Sequence, residues 1–168
     1  MASFAPKQTN MYTKADIQEL LKSVMDPEIP FISVVQLGII DDIRIEGKRV
    51  EIDMVPTFAG CPAIDLMKMQ IEKVCREAGI EEVEVLVKQK AWSTNRISKS
   101  GRKALKDFGL SPPPKVEGEV DMQLLQHAEC PKCGSTRTRL LNTFGPTACR
   151  AIHHCDDCHE TFEQMKPL

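Results

Sequence analysis

Two cysteine pairs near the C-terminus limit what this chain can fold into more than any other stretch. Cys130-Pro131-Lys132-Cys133 and Cys155-Asp156-Asp157-Cys158 are both C-x-x-C units. Each unit turns tightly enough to aim two sulfurs at one point, and two units at this separation make a four-cysteine tetrahedral metal site. Gly134, just past the first pair, lets the backbone bend back. Four thiolates suit zinc, which has no redox chemistry and accepts tetrahedral sulfur. A closed shell of four sulfurs leaves no position for water, so the zinc is expected to be structural. A mononuclear iron or a cluster in the same shell is the alternative. Four unrelated buried cysteines would not be paired in so short and polar a segment. The large apolar residues around them are few: Leu140, Leu141, Phe144, Ile152, Phe162 and Met165. That is too little to hold a fold without a staple. The patterning predicts three short strands, over 137–142, 149–154 and 161–165, which is a zinc ribbon.

The remainder of the 168 residues has room for one medium domain before the ribbon. A net charge of −2 and balanced charges within 128–168 carry no electrostatic footprint for nucleic acid. No run of apolar residues is long enough to span a membrane. Residues 1–10 lack the charged start and apolar core of a leader. A cytoplasmic protein is therefore expected, and its seven cysteines are thiols or metal ligands rather than disulfides.

Residues 1–12 read as a loose tail. Thr13-Lys14-Ala15-Asp16 opens a helix with a capping-box pattern in which Asp16 replaces the usual Glu or Gln. Ile17, Leu20, Leu21 and Val24 continue it at helical spacing. Pro27 and Pro30 stop it. Period-two alternation over 41–45 and 49–54, joined by Glu46-Gly47-Lys48, predicts a β-hairpin. A second helix follows over 62–78, closed by Gly79. A third strand is expected over 81–88 and a third helix over 98–108, with Trp92-Ser93-Thr94-Asn95 as a loop between them and Trp92 as a core anchor. Pro112-Pro113-Pro114 opens a semi-rigid linker over 111–127. The fold class is α+β: a small mixed sheet with packed helices over 13–110, tethered to a four-cysteine zinc ribbon over 128–168.

Three cysteines lie outside the C-x-x-C pairs. Pro62 suits the first position of the second helix, which makes Cys61 its N-cap, facing free N–H groups and the positive end of the helix dipole. That setting lowers a thiol pKa and favours the thiolate. Cys61, with the Thr57 hydroxyl in the same loop, is the candidate reactive or metal-handling thiol, set against an inert cysteine at a domain corner. Cys75 falls on the apolar face of the helix and reads as core. Cys149, six residues before Cys155, is either a packed strand residue or a spare thiol near the metal. His127, His153, His154 and His159 flank the knuckles, but four cysteines already fill the shell. Asp26 and Glu28 bracket Pro27 and read as turn caps. No Ser/His/Asp set, phosphate loop or dinucleotide fingerprint is present, so no catalytic residue is assigned.

With these residues in place a resemblance can be stated. Asp26-Pro27-Glu28-Ile29-Pro30, Leu37-Gly38-Ile39 and Pro56-Thr57-Phe58-Ala59-Gly60-Cys61-Pro62 resemble the signature of the SufT-like iron–sulfur assembly factors. Adding Cys130-Pro131-Lys132-Cys133, Phe144-Gly145-Pro146-Thr147-Ala148-Cys149-Arg150-Ala151 and Cys155-Asp156-Asp157-Cys158, the whole from Tyr12 onward resembles the PaaD family, subunits of bacterial phenylacetyl-CoA epoxidases. The resemblance implies a non-catalytic helper in phenylacetate catabolism that supports iron–sulfur cluster assembly. Its implied partners are the reductase component, which carries flavin and a 2Fe–2S cluster, the other epoxidase subunits and the assembly machinery. It places Cys61 at the family's thiol position, with a transient iron or cluster as cargo. A structural or docking role within the oxygenase complex is the second reading, and a homodimer is left open. One departure stands out: the family often has Asp where this chain has Asn95.

Overall fold

The computed structural model describes residues 12–58, 60–118 and 122–168. The tail expected over 1–12 lies outside the described residues except for Tyr12, whose hydroxyl donates to the Ala78 carbonyl. Helix α1 (Lys14–Leu21) starts at the expected capping box. Thr13 Oγ1 accepts from Asp16 N–H at 3.2 Å, and Asp16 Oδ2 accepts from Thr13 N–H at 2.8 Å, so two of the helix's orphan donors are satisfied reciprocally. Ile17 and Leu21 face the core.

Strands β1 (Ile40–Glu46) and β2 (Arg49–Met54) form the expected antiparallel hairpin, with Ile45 opposite Val50. The chain then crosses through α2 (Ala63–Glu77) and returns as β3 (Glu82–Val87), parallel to β2. The sheet order is β1-β2-β3, so β2 is central, and its Val50, Ile52 and Met54 are buried. Trp92 is buried as expected. The stretch after it tightens into a 3-10 turn, Thr94–Arg96. Helix α3 (Lys99–Asp107) is capped by Ser98, whose Oγ accepts from Gly101 N–H at 3.0 Å.

Arg96 explains the Leu37-Gly38-Ile39 motif. Its Nε donates to Gly38 O at 2.8 Å, its Nη2 to Ile40 O at 3.1 Å and its Nη1 to Asp41 Oδ1 at 2.7 Å. Gly38 has φ +74°, and a Cβ there would lie 2.5 Å from the Arg96 carbonyl oxygen. Only glycine accepts both the left-handed backbone and that approach.

The second sheet runs β4-β7-β6-β5. Strands β5 (Thr138–Asn142), β6 (Arg150–Cys155) and β7 (Thr161–Met165) are the antiparallel ribbon. β4 (Leu110–Ser111) pairs parallel with β7, Leu110 opposite Glu163. No periodicity announces a two-residue strand flanked by a glycine and three prolines, yet it ties the ribbon to the first domain. Leu110 and Met165 are both buried in the main core. Thr94 N–H donates to Leu168 O at 3.0 Å. Arg150 Nη2 donates to Glu28 O at 2.7 Å, and its Nη1 reaches Glu163 Oε2 at 2.8 Å. The ribbon is thus docked on the domain rather than only tethered to it.

Asn95 holds the connecting stretch. Its Nδ2 donates to Val116 O at 2.6 Å, and its Oδ1 accepts from Val116 N–H at 3.0 Å. The side-chain amide mimics a strand partner. An ionised carboxylate at this position has no donor for the Val116 carbonyl, so Asn rather than Asp fits the clasp.

Candidate metal centre and loop thiol

The two C-x-x-C knuckles are built alike. In the first, Cys130 N–H donates to Ser135 O and Gly134 N–H to Cys130 O, both at 2.9 Å. In the second, Cys155 N–H donates to Glu160 O at 2.9 Å and His159 N–H to Cys155 O at 3.0 Å. Gly134 has φ +76°, and His159 takes the matching position with φ +60°. His159 is therefore a turn residue in a conformation that disfavours a side chain. Its place four residues after Cys155, equivalent to Gly134 after Cys130, was the signal for that role.

These turns bring four sulfurs together. The Sγ atoms of Cys130, Cys133, Cys155 and Cys158 all lie within 4.8 Å of one another. Cys130 Sγ is 3.7 Å from Cys158 Sγ, and Cys133 Sγ is 3.6 Å from Cys155 Sγ. A tetrahedron with metal–sulfur bonds of about 2.3 Å has sulfur–sulfur edges of about 3.8 Å. The donor set thus fits a tetrahedral metal in both chemistry and size. The backbone N–H groups of Cys158 and Asp157 aim at Cys155, and they hold its thiol down to about 7. No histidine joins the cluster. His153 is fully buried and stacks on Phe162 at 5.6 Å. His154 pairs instead with His159 at 6.1 Å.

The loop thiol differs from the expectation. The helix cap is Pro62, without a side-chain cap hydrogen bond, so Cys61 stands one residue outside the expected N-cap position. Burial pushes the Cys61 thiol above its ordinary value. The Ala63 backbone N–H opposes that shift, while the charges of Glu28, Asp26 and Cys149 reinforce it. The expected dipole effect is outweighed because the sulfur is half-buried and faces anions. Thr57 is also half-buried, but its hydroxyl makes no hydrogen bond among the described residues. Cys75 is fully buried, and burial pushes its thiol up to about 11. Asp26 Oδ1 accepts from Glu28 N–H at 2.8 Å and Ile29 N–H at 2.9 Å, the turn-capping role read from the motif. Cys61 and Cys149 both stand outside the four-sulfur cluster.

Comparison with known proteins matches both halves. Residues 14–87 match the family model "Iron-sulfur cluster assembly protein", and residues 115–166 match "PaaD zinc beta ribbon domain". Along nearly its whole length, 99% of this chain and 97% of the relative, the chain is 32% identical to a protein of Escherichia coli K12 named as a subunit of a "Putative 1,2-phenylacetyl-CoA epoxidase". A "Fe-S protein maturation auxiliary factor" of Porphyromonas gingivalis is 31% identical over 52% of this chain and 86% of that protein. Among solved structures, a DUF59 domain from Bacillus anthracis superposes with TM-score 0.51 at 29% identity, covering 55% of this chain and 90% of that one. A conserved hypothetical protein from Thermotoga maritima superposes with TM-score 0.50 at 30% identity, over 60% and 98%.

Proposed function

The chain belongs to the PaaD family of 1,2-phenylacetyl-CoA epoxidase subunits, an iron–sulfur assembly domain joined to a PaaD zinc ribbon, and from that premise we propose that it is a non-catalytic maturation factor for the epoxidase system. Its client is the iron–sulfur and flavin reductase component, and its cargo is iron or an iron–sulfur cluster. The observation that carries this reading is the placement of Cys61. It is a half-exposed thiol on a loop of the assembly domain, outside the four-sulfur cluster, with no disulfide partner.

The ribbon's four cysteines would hold zinc, which supplies folding energy and leaves no coordination position open. Cys130 and Cys155 are buried, while Cys133 reaches the surface, as suits a structural site near the protein's edge. Cys61 receives the cargo on its sulfur, and Thr57 lines the same loop. Nothing in the arrangement activates water or a substrate carbon: among the described residues no base–nucleophile pair stands near Cys61, and its thiol is held protonated by burial in the absence of cargo.

Zinc-stabilised docking is the second reading, favoured by an exposed aromatic pair. Phe31 and Phe108 meet at 4.8 Å with their rings tilted by 34° while remaining 60% and 40% exposed. Phe108 lines an open cleft of about 580 Å³ between domain and ribbon, with Lys106, Lys132 and Arg150.

The deciding measurement is the iron and sulfide content of the reductase expressed with this chain, without it, and with Cys61→Ala. Loading is expected to fall without the chain and to stay low with the variant. Equal loading in all three would leave docking as the better reading.

A further inference from the structure

Among the described residues four strands end the two sheets, and three of them are blunted. The orders β1-β2-β3 and β4-β7-β6-β5 put β1, β3, β4 and β5 at the edges. An open edge offers unpaired N–H and C=O groups to any other chain, and proteins commonly spoil such edges with charge, proline or very short strands. β1 carries Asp41, Asp42 and Glu46, and β3 carries Glu82 and Glu84. β4 has two residues and runs into Pro112. β5 reads Thr138-Arg139-Leu140-Leu141-Asn142, with no acid and no proline. Its one charge is drawn aside to Asp156 Oδ1 at 3.4 Å, and a bulge falls between Leu140 and Asn142. Leu141 is 52% exposed, and Phe144 just past the strand is 67% exposed.

The ladder decides which backbone groups of β5 face outward. Asp156 N–H donates to Arg137 O at 2.9 Å, so Arg137 turns its carbonyl toward β6. Orientation alternates along an antiparallel strand. Arg139, opposite His154, therefore also faces β6, while Leu140, opposite His153, turns both its N–H and its C=O away from the sheet. Thr138 faces outward too, but its N–H is taken by Thr136 O at 3.0 Å. A residue that presents a donor and an acceptor together at an edge is complementary to itself. Against a second Leu140 related by a two-fold axis it exchanges both bonds, as in a closely bonded antiparallel pair. In that register Arg139 lies opposite Leu141 of the second copy, and Thr138 opposite its Asn142. No arginine meets an arginine, which directly opposite would be unfavourable, and the Arg139 stem covers an exposed leucine.

We propose that β5 is a self-association edge: two copies of this chain pair antiparallel through Leu140, so that one sheet runs through both ribbons. The pairing does not rest on the maturation reading. An unrelated extended segment could satisfy the same two backbone groups, but the two-fold match of hydrogen bonds, charge and exposed leucine is specific to a second copy. β4 stands at the far end of the same sheet order and ties each ribbon to its own assembly domain. The two assembly domains therefore stand at the outer ends of the pair, on the sides away from the shared edge.

The test is sedimentation equilibrium of the full-length, zinc-loaded chain, kept reduced, over a range of concentrations, with amide exchange in parallel. A reversible monomer–dimer equilibrium is expected, and the Leu140 amide is expected to exchange more slowly as the concentration rises. Leu141→Lys sets a like charge opposite Arg139 of the second copy and is expected to shift the chain to monomer. Leu140→Pro removes the outward N–H from both copies and is expected to weaken association on the order of tenfold or more. Leu140→Ala shortens the same side chain but keeps the N–H, so it is expected to weaken association less. Zinc content and melting temperature report the fold of each variant, and Leu141→Lys, at an exposed position, keeps the test decisive should a Leu140 variant fail to fold. A chain that is monomeric at every concentration overturns the proposal, as does a dimer that Leu141→Lys leaves intact. Protection of the Leu140 amide in a monomeric chain only when the reductase component is added also overturns it, and gives the edge to a client instead.

Discussion

The first domain and the ribbon solve the problem of holding a fold together with different materials. Around β2 the domain packs aliphatic side chains: Ile17, Leu21, Ile39, Ile52 and Ile71 are all fully buried. The ribbon's own cluster is Ala128, Cys130, Cys155 and Phe162, with Cys158 against it, so three of its five residues are cysteines. A core of the first kind loses stability in steps as methyl groups are removed. One of the second kind stands or falls with its ion. The difference shows why the two halves read so differently from sequence: one by periodicity, the other by spacing.

The sharpest way to break the comparison is to take the metal away. Stripping the zinc proposed for the ribbon with a chelator, or replacing Cys155 by Ser, is expected to remove on the order of 10 kcal/mol of binding free energy. Amide exchange should show protection lost across β5, β6 and β7 and kept across β1, β2 and β3. If both halves open together, the seam through Leu110 and Met165 couples them more strongly than the cores differ. Ile52→Ala is the counterpart in the other core. It is expected to cost about 2–5 kcal/mol, read as a lower denaturation midpoint, with the metal content unchanged.

Asn95→Asp tests the join between the halves. Losing the donor to the Val116 carbonyl is expected to cost about 1–3 kcal/mol, seen as a lower melting temperature and faster proteolysis near residue 116. The smallest effect is expected from acid. Asp53 is buried, and its hydrogen bonds to Arg44 hold its carboxyl below the usual range. A folded value below the unfolded one contributes stability that is present above about pH 4 and is lost as pH falls through the lower, folded value. Asp53→Asn should flatten that acid limb of a stability-against-pH curve and leave the slope near neutral pH unchanged.

Much of this was legible beforehand, for identifiable reasons. The capping box at Thr13, the hairpin through Gly47 and the helix stop at Gly79 are local signals that act over a few residues, and each stands where the pattern placed it. The four-sulfur cluster was legible because C-x-x-C spacing encodes its geometry directly. The state of Cys61 was not. Its helix-end setting was visible, but the burial that pushes its thiol up, and the Glu28 and Asp26 carboxylates that add to it, come only with the folded chain. β4 escaped for the same reason, since a two-residue strand has no period and is defined by its partner β7. The role of Asn95 could be flagged as a departure and not explained, because Val116 is invisible to a local reading.

The pairing of β4 with β7 also bears on how the chain is made. Synthesis runs from N- to C-terminus, and domains generally fold as they emerge. Leu110 is complete long before Glu163 is added, and the Leu168 carbonyl that Thr94 engages comes later still. The first domain therefore emerges from the ribosome with one flank open and closes it only when residues translated much later arrive. Such a late, non-local contact slows the final step and leaves an unpaired strand edge exposed while the chain waits.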